Sequence, residues 1–137
     1  MGEPVKLAAL GALALIAAAA AAPPPERAVR VGLDGDDLDA CLSDGEVTGL
    51  NPRGDNFLAV RAAPDASARL RHRLGPRHRV HVCEETPNGA WLGIVYSPPG
   101  AAPRDCGVGS PVDSARAYRG PCASGWVSAR YVTIVAG

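Results

Sequence analysis

The four cysteines carry the most decisive chemistry in this 137-residue sequence. They lie at positions 41, 83, 106 and 122, and the intervals contain no CxxC or CxxH pair of the kind that zinc sites use. An even number of cysteines in an exported chain is typical of disulfide bonds. Three pairings can form. We favour Cys106 with Cys122, which closes a short loop, and by elimination Cys41 with Cys83, each stabilising the fold by about 3–4 kcal/mol.

The histidines are the next candidates for chemistry. His72, His78 and His81 lie in one segment beside Cys83. A metal site needs converging rings, and side-chain alternation along strands is expected to place His72 and His81 on different faces. A Cys83–His81 nucleophile is the alternative, but an exported cysteine is more often oxidised. The sequence has no GxSxG, SxxK or HExxH motif, and the acidic turn at Asp34 lacks the EF-hand ligand pattern. We therefore expect no enzymatic activity, no cofactor and no bound metal.

Charge is balanced overall but segregated along the chain. One lysine and 13 arginines match 14 acidic residues, so the net charge of zero gives no case for binding nucleic acid. Acidic side chains crowd residues 34–46, and arginines crowd residues 69–79. Arg71 and Arg73 are candidate contacts for an anionic partner such as peptidoglycan carboxylates. The alternatives are that they keep an outward strand face soluble or pair with the acidic stretch.

Aromatic side chains are few, with one Phe, two Trp and three Tyr. The candidate ligand contacts among them are Trp91, Tyr96, Trp126 and Tyr131. Because aromatic residues are so few, the preferred expectation is that both tryptophans anchor the core, and a place in a ligand groove is the second interpretation. An aromatic ring that lines a shallow groove would suit recognition of a sugar or a peptide.

Short β-strands are the elements that must position these residues. From Glu46 onward, apolar runs alternate with Gly, Pro and Asn turns, and no segment after Ala22 has the period of an amphipathic helix. The predicted strands are 46–50, 57–61, 69–74, 79–84, 91–97, 125–128 and 132–135. The strand at 91–97 is apolar on both faces, as a central strand would be. The pattern predicts an all-β domain, a small barrel or sandwich.

Three sequence segments also occur in the order of a known family. Residues 57–64 read FLAVRAAP, residues 80–82 (VHV) are followed by NGAW at 88–91, and residues 125–132 read GWVSARYV. Together they resemble the bacterial SH3-like (SH3b) domain family. The resemblance implies a small barrel of five to seven short strands, with a short 3₁₀ turn at 128–131 and Tyr131 folded back across the barrel. It also implies a targeting or wall-recognition role, because members often accompany cell-wall hydrolases.

The chain divides into four segments on this reading. Residues 1–22 resemble a secretory signal peptide, with a lysine before a short apolar run and small residues at its end. Residues 23–45 are predicted to be an acidic, irregular lead-in, and residues 46–137 to be the SH3-like domain. Within that domain, residues 98–123 form an insertion rich in proline, which the Cys106–Cys122 bond would staple.

These segments predict an exported binding module in the periplasm or outside the cell. Its expected partner is a cell-wall or envelope component, such as peptidoglycan or a protein, and it would meet the membrane only through an uncleaved signal segment. The alternative is a structural or accessory envelope protein that docks on another protein through the 98–123 loop.

Overall fold

Short strands form where the sequence alternates apolar runs with turn residues. The computed structural model describes residues 2–5, 11–15 and 22–137, so most of the predicted signal peptide at 1–22 lies outside the described residues. The strands are β1 Arg30–Val31, β2 Ser43–Val47, β3 Leu58–Arg61, β4 Leu70–Leu74, β5 Arg79–Glu85, β6 Trp91–Tyr96, β7 Arg116–Ala117, β8 Ala123–Ser128 and β9 Val132–Ala136. A 3₁₀ helix at Ala129–Tyr131 precedes β9. No helix within these ranges is long and apolar enough to cross a membrane.

Seven of the strands form one antiparallel sheet in the order β4-β3-β8-β6-β5-β2-β9. The all-β class predicted from the sequence is confirmed. The first predicted strand, 46–50, was placed three residues too late, because Ser43–Val47 is the segment that pairs with both β5 and β9. β4 and β9 end the strand order, so the described ladder is open and does not close into a barrel.

The sheet is curled, so that the side chains on one of its faces pack against one another. Its buried side chains come from six strands: Val47, Leu58, Val60, Leu74, Val80, Leu92, Ile94, Tyr96 and Val127. Val47 and Leu74, from strands near opposite ends of the order, are at most 1% exposed. Because the buried members all belong to the sheet itself, the sheet must curl strongly for both ends to exclude water.

A second layer covers the other face of the sheet. It is built from the segment before β2 and the 98–123 loop, which meet in the two-stranded β1–β7 ladder. The Cys41 amide donates to the Val108 carbonyl, and the Ala40 amide donates to the Ser110 carbonyl. Residues 23–45, predicted to be an irregular lead-in, contain only β1 and the start of β2 as regular strands, and these contacts pack them against the 98–123 loop. We call this layer the covering lobe.

Both disulfide bonds lie in the core beneath the covering lobe. Cys41 is joined to Cys83 of β5, and Cys106 is joined to Cys122, as predicted. They share this core with Val29, Val31, Val95, Val108 and Trp126. The first bond fastens the lobe to the sheet, and the second closes the 98–123 loop on itself. Two disulfide bonds indicate an oxidising, extracytoplasmic environment.

The central strand β8 is buried on both of its faces. Trp126 and Val127 point to opposite faces, yet both are fully buried because one lies under the lobe and the other in the curled core. Gly125 lies within this strand, where an added Cβ would come 2.9 Å from the Arg61 carbonyl oxygen. The glycine lets β3 approach β8 closely.

Candidate functional site

Two of the predicted ligand contacts belong to the core. Tyr96 is 1% exposed, its hydroxyl lies 2.7 Å from His72 Nδ1, and burial raises its pKa far above the usual range. Trp126 is fully buried, and its Nε1 donates to the Arg27 carbonyl at 2.8 Å. Trp126 has no exposed surface for a ligand and Tyr96 has almost none. The expectation that a tryptophan anchors the core is met by Trp126, because both faces of the sheet are covered at these positions.

The other two predicted aromatic residues line a groove together. Trp91, at the start of β6, and Tyr131, at the end of the 3₁₀ helix, are both half-buried. They share the groove with Phe57, which precedes β3, and its volume is about 460 Å³. Half of the chain's aromatic residues therefore meet at one surface site. We call this site the aromatic groove.

Backbone hydrogen bonds fix the aromatic groove from several elements. The Thr86 hydroxyl accepts from the Trp91 amide at 3.1 Å, and the Thr86 amide donates to the Trp91 carbonyl at 3.0 Å, which closes the β5–β6 hairpin. The Tyr131 carbonyl accepts from the Thr48 amide at 2.9 Å. Trp91 also packs against the core under the lobe, and Tyr131 against the curled core. The rings are therefore held in place before any ligand arrives, which lowers the entropy lost on binding.

A few polar side chains complete the groove. Arg61 and Asp55 supply one charge of each sign, and Asn51 supplies an amide. Arg61 Nη1 donates to the Ala68 carbonyl at 3.2 Å, which restrains the guanidinium. Aromatic walls with a small number of hydrogen-bonding groups are the usual composition of a site for sugars or peptides. The mixed charge suits a ligand that is neutral or carries both signs.

The two predicted arginines lie outside the groove's lining. Arg73 is exposed and places its guanidinium 5.1 Å from the centre of the Phe57 ring, so it supports a groove residue from behind. Arg71 Nη1 donates to the Ser124 carbonyl at 2.8 Å, and its Nη2 lies 3.5 Å from Glu26 Oε2. Glu26 also pairs with Arg69. Arg71 therefore pairs with an acidic residue of the protein itself, Glu26, which lies in the 23–45 segment but outside the acidic stretch at 34–46.

Glu26 should make the stability of the lobe's attachment depend on pH. The hydrogen bond and charge of Arg69, followed by the charge of Arg71, hold the pKa of Glu26 below its usual range. A lowered carboxylate pKa contributes stability above the unfolded pKa and loses it as the pH falls. We expect Glu26→Gln to lower the denaturant midpoint slightly at pH 7, because the pair is exposed. The midpoints of variant and parent should converge as the pH falls below the unfolded glutamate pKa of about 4.3. Glu85→Gln is the control, and a difference that grows in acid would contradict the assignment.

The histidines each have a local partner instead of a shared centre. His78 Nε2 lies 2.9 Å from the Ser97 carbonyl, and His81 Nδ1 lies 2.6 Å from Asp44 Oδ1. Cys83, the only candidate nucleophile, is bonded to Cys41. In the ranges that the structure describes, no three His, Cys, Asp or Glu side chains are grouped to hold a metal ion, and Asp34 lies in an exposed turn.

Sequence reasoning missed the groove residues Asn51, Asp55, Phe57 and Arg61. Phe57 and Arg61 occur in the FLAVR segment that was used only as a fold motif. The signal available was that the single phenylalanine stands immediately before a strand, at a position that the alternation of β3 does not require for the core.

Comparisons of this chain with protein-family models, with curated proteins and with solved structures found no match.

Proposed function

We propose that this protein is an exported binding module that recognises a cell-wall or envelope component through the aromatic groove. The observation that carries the proposal is the convergence of Phe57, Trp91 and Tyr131 on one preorganised groove. Three of the six aromatic rings meet at this one surface, whereas Tyr96 and Trp126 are the aromatic residues that are buried in the core. The mature protein would act in the periplasm or outside the cell after signal-peptide cleavage, which agrees with its two disulfide bonds.

The groove fits a glycan or a short peptide better than a highly charged polymer. Aromatic faces stack on the apolar faces of sugar rings or on peptide side chains, while Arg61, Asp55 and Asn51 can fix the orientation by hydrogen bonds. Peptidoglycan presents both kinds of chemistry in one polymer, and its stem peptides carry charges of both signs. It is therefore the ligand we would test first.

Retention on purified, insoluble peptidoglycan at 150 mM NaCl tests the proposal. We expect the disulfide-intact protein to be retained and Trp91→Ala/Tyr131→Ala to bind at least tenfold more weakly. A buried aromatic contact is commonly worth 1.4 kcal/mol or more, about a tenfold change in affinity. Neither side chain is fully buried, so the variant should keep its circular dichroism spectrum.

Leu38→Ala is the matched control, because Leu38 is 44% exposed and lies in the acidic turn away from the groove. It should bind like the parent. Soluble N-acetylglucosamine oligomers and a synthetic stem peptide, used as competitors, distinguish the two ligand classes. The proposal fails if the parent protein is not retained, or if the double variant is retained as well as the parent.

A further inference from the structure

A second cavity, separate from the aromatic groove, lies in the covering lobe. Its volume is about 530 Å³, within the ~300–1,000 Å³ range of small-molecule sites. Val31, Val108, Val112 and Tyr118 form an apolar wall. Two of these valines, Val31 and Val108, are 3% and 2% exposed, so the wall is continuous with the core under the lobe. We call it the lobe cavity.

The wall of the lobe cavity is rigid. The Tyr118 hydroxyl donates to the Cys106 carbonyl at 2.8 Å and accepts from the Cys122 amide at 3.1 Å. Tyr118 therefore bridges the two halves of the Cys106–Cys122 disulfide. Its own amide donates to the Val29 carbonyl at 2.8 Å, next to the β1–β7 ladder. A cavity held in this way is formed before a ligand binds, so little ordering entropy is lost.

Two arginine side chains at the lobe cavity carry positive charge that is not paired with a carboxylate of the described residues. Arg116 and Arg119 line it, both are exposed, and neither forms an ion pair within the part of the chain that the structure describes. None of the described lining residues is acidic. Arg27, Arg69, Arg71 and Arg79 each meet a carboxylate, whereas Arg30 and Arg104 of the lobe, like Arg116 and Arg119, form no ion pair within the described residues. An apolar wall beside two free guanidinium groups is complementary to an anion that carries an apolar chain.

We propose that the lobe cavity binds a carboxylate with an unbranched apolar chain, such as a medium-chain fatty acid. The chain would lie against Val31, Val108 and Val112, and the carboxylate would accept hydrogen bonds from Arg116 and Arg119. Burial of the chain removes apolar surface from water, and the guanidinium groups supply the orientation. The site uses no residue of the aromatic groove, so it does not depend on the proposed function.

Isothermal titration with sodium decanoate, kept below its micelle concentration at 150 mM NaCl, tests this site on the disulfide-intact protein. We expect saturable binding to one site. Affinity should rise about tenfold for every two methylenes from hexanoate to decanoate. Arg116→Gln/Arg119→Gln should bind decanoate at least tenfold more weakly, because hydrogen bonds to charged groups are lost. Decyltrimethylammonium, with the same chain and the opposite charge, should not compete.

Arg53→Gln/Arg77→Gln removes the same charge from exposed positions outside the cavity and should bind like the parent. Trp91→Ala/Tyr131→Ala should also bind decanoate normally, which separates this site from the aromatic groove. Equal thermal midpoints of the two arginine variants would show that the cavity variant is folded. The proposal is overturned if decanoate gives no saturable heat, if the cation binds as well, if the cavity variant retains full affinity, or if only peptides with apolar C-termini bind.

Discussion

Replacing Trp126 by alanine is expected to lower the free energy of unfolding by about 3–5 kcal/mol. The side chain is fully buried under the covering lobe, and the void would border both the sheet and the lobe. Its Nε1 also donates to the Arg27 carbonyl at 2.8 Å, and the Arg27 guanidinium lies 4.8 Å from the ring centre. One side chain therefore joins the segment before β1 to β8. A loss of this size is a large part of the ~5–15 kcal/mol that stabilises a typical domain.

Guanidinium unfolding followed by far-ultraviolet circular dichroism measures this effect. Trp126→Phe keeps most of the apolar volume and loses the hydrogen bond, so it should cost about 1–2 kcal/mol. Trp91→Ala is the matched tryptophan deletion. Trp91 is only half-buried, so its loss should cost less than half as much as that of Trp126. Trp126 would not be the anchor of the lobe if its alanine variant were as stable as the Trp91 variant.

The sheet was largely predictable because its strands are local features. A period of two and flanking turn residues identify β3 to β6, β8 and β9 to within two residues at each boundary. β1 and β7 could not be found in this way. Each has two residues, too few to show a period, and they pair across 85 positions, from residue 31 to residue 116, at the shorter end of the ladder, where Val31 faces Arg116. The covering lobe is formed by such long-range contacts, so local sequence patterns could not predict it.

The missing lobe also explains which site residues were misplaced. The sequence named Trp126 and Tyr96 as candidate ligand contacts, with a place in the core as the first expectation for Trp126. The lobe buries one face and the curl of the sheet buries the other, so both residues are core. Trp91 and Tyr131 stand at the ends of their elements, where each side chain packs partly against a core and still lines the groove.

The disulfide pairing was within reach of sequence reasoning for a physical reason. Cys106 and Cys122 close a loop of 16 residues inside one insertion, and only Cys41 and Cys83 then remain. The sequence did not show that the two disulfide bonds have different structural roles. One closes a loop within the lobe, and the other fastens the lobe to β5.

Removing the Cys41–Cys83 bond by Cys41→Ala/Cys83→Ala should therefore be the more damaging of the two disulfide deletions. The bond spans 42 residues, and chain entropy gives a loss of about 4 kcal/mol, against about 3 kcal/mol for the 16-residue Cys106–Cys122 loop. Both half-cystines of the first bond are at most 7% exposed, so the alanine variant also leaves small voids between lobe and sheet. Urea unfolding of the two alanine pairs measures the difference.

The same variants separate the lobe from the aromatic groove. The backbone of the groove is held by Thr48, Thr86 and the curled core, which lie outside the lobe, and only the Trp91 side chain packs against the core under the lobe. Below the unfolding transition, Cys41→Ala/Cys83→Ala should therefore lose amide-exchange protection in β1 and β7 while the amide of Trp91 remains protected. The Cys106→Ala/Cys122→Ala pair should lose protection mainly around Tyr118, whose hydroxyl no longer has a fixed partner on each side. Uniform loss of protection across the sheet in both variants would mean that lobe and sheet unfold as one unit. The groove would then depend on the lobe as much as on the strands that form the groove.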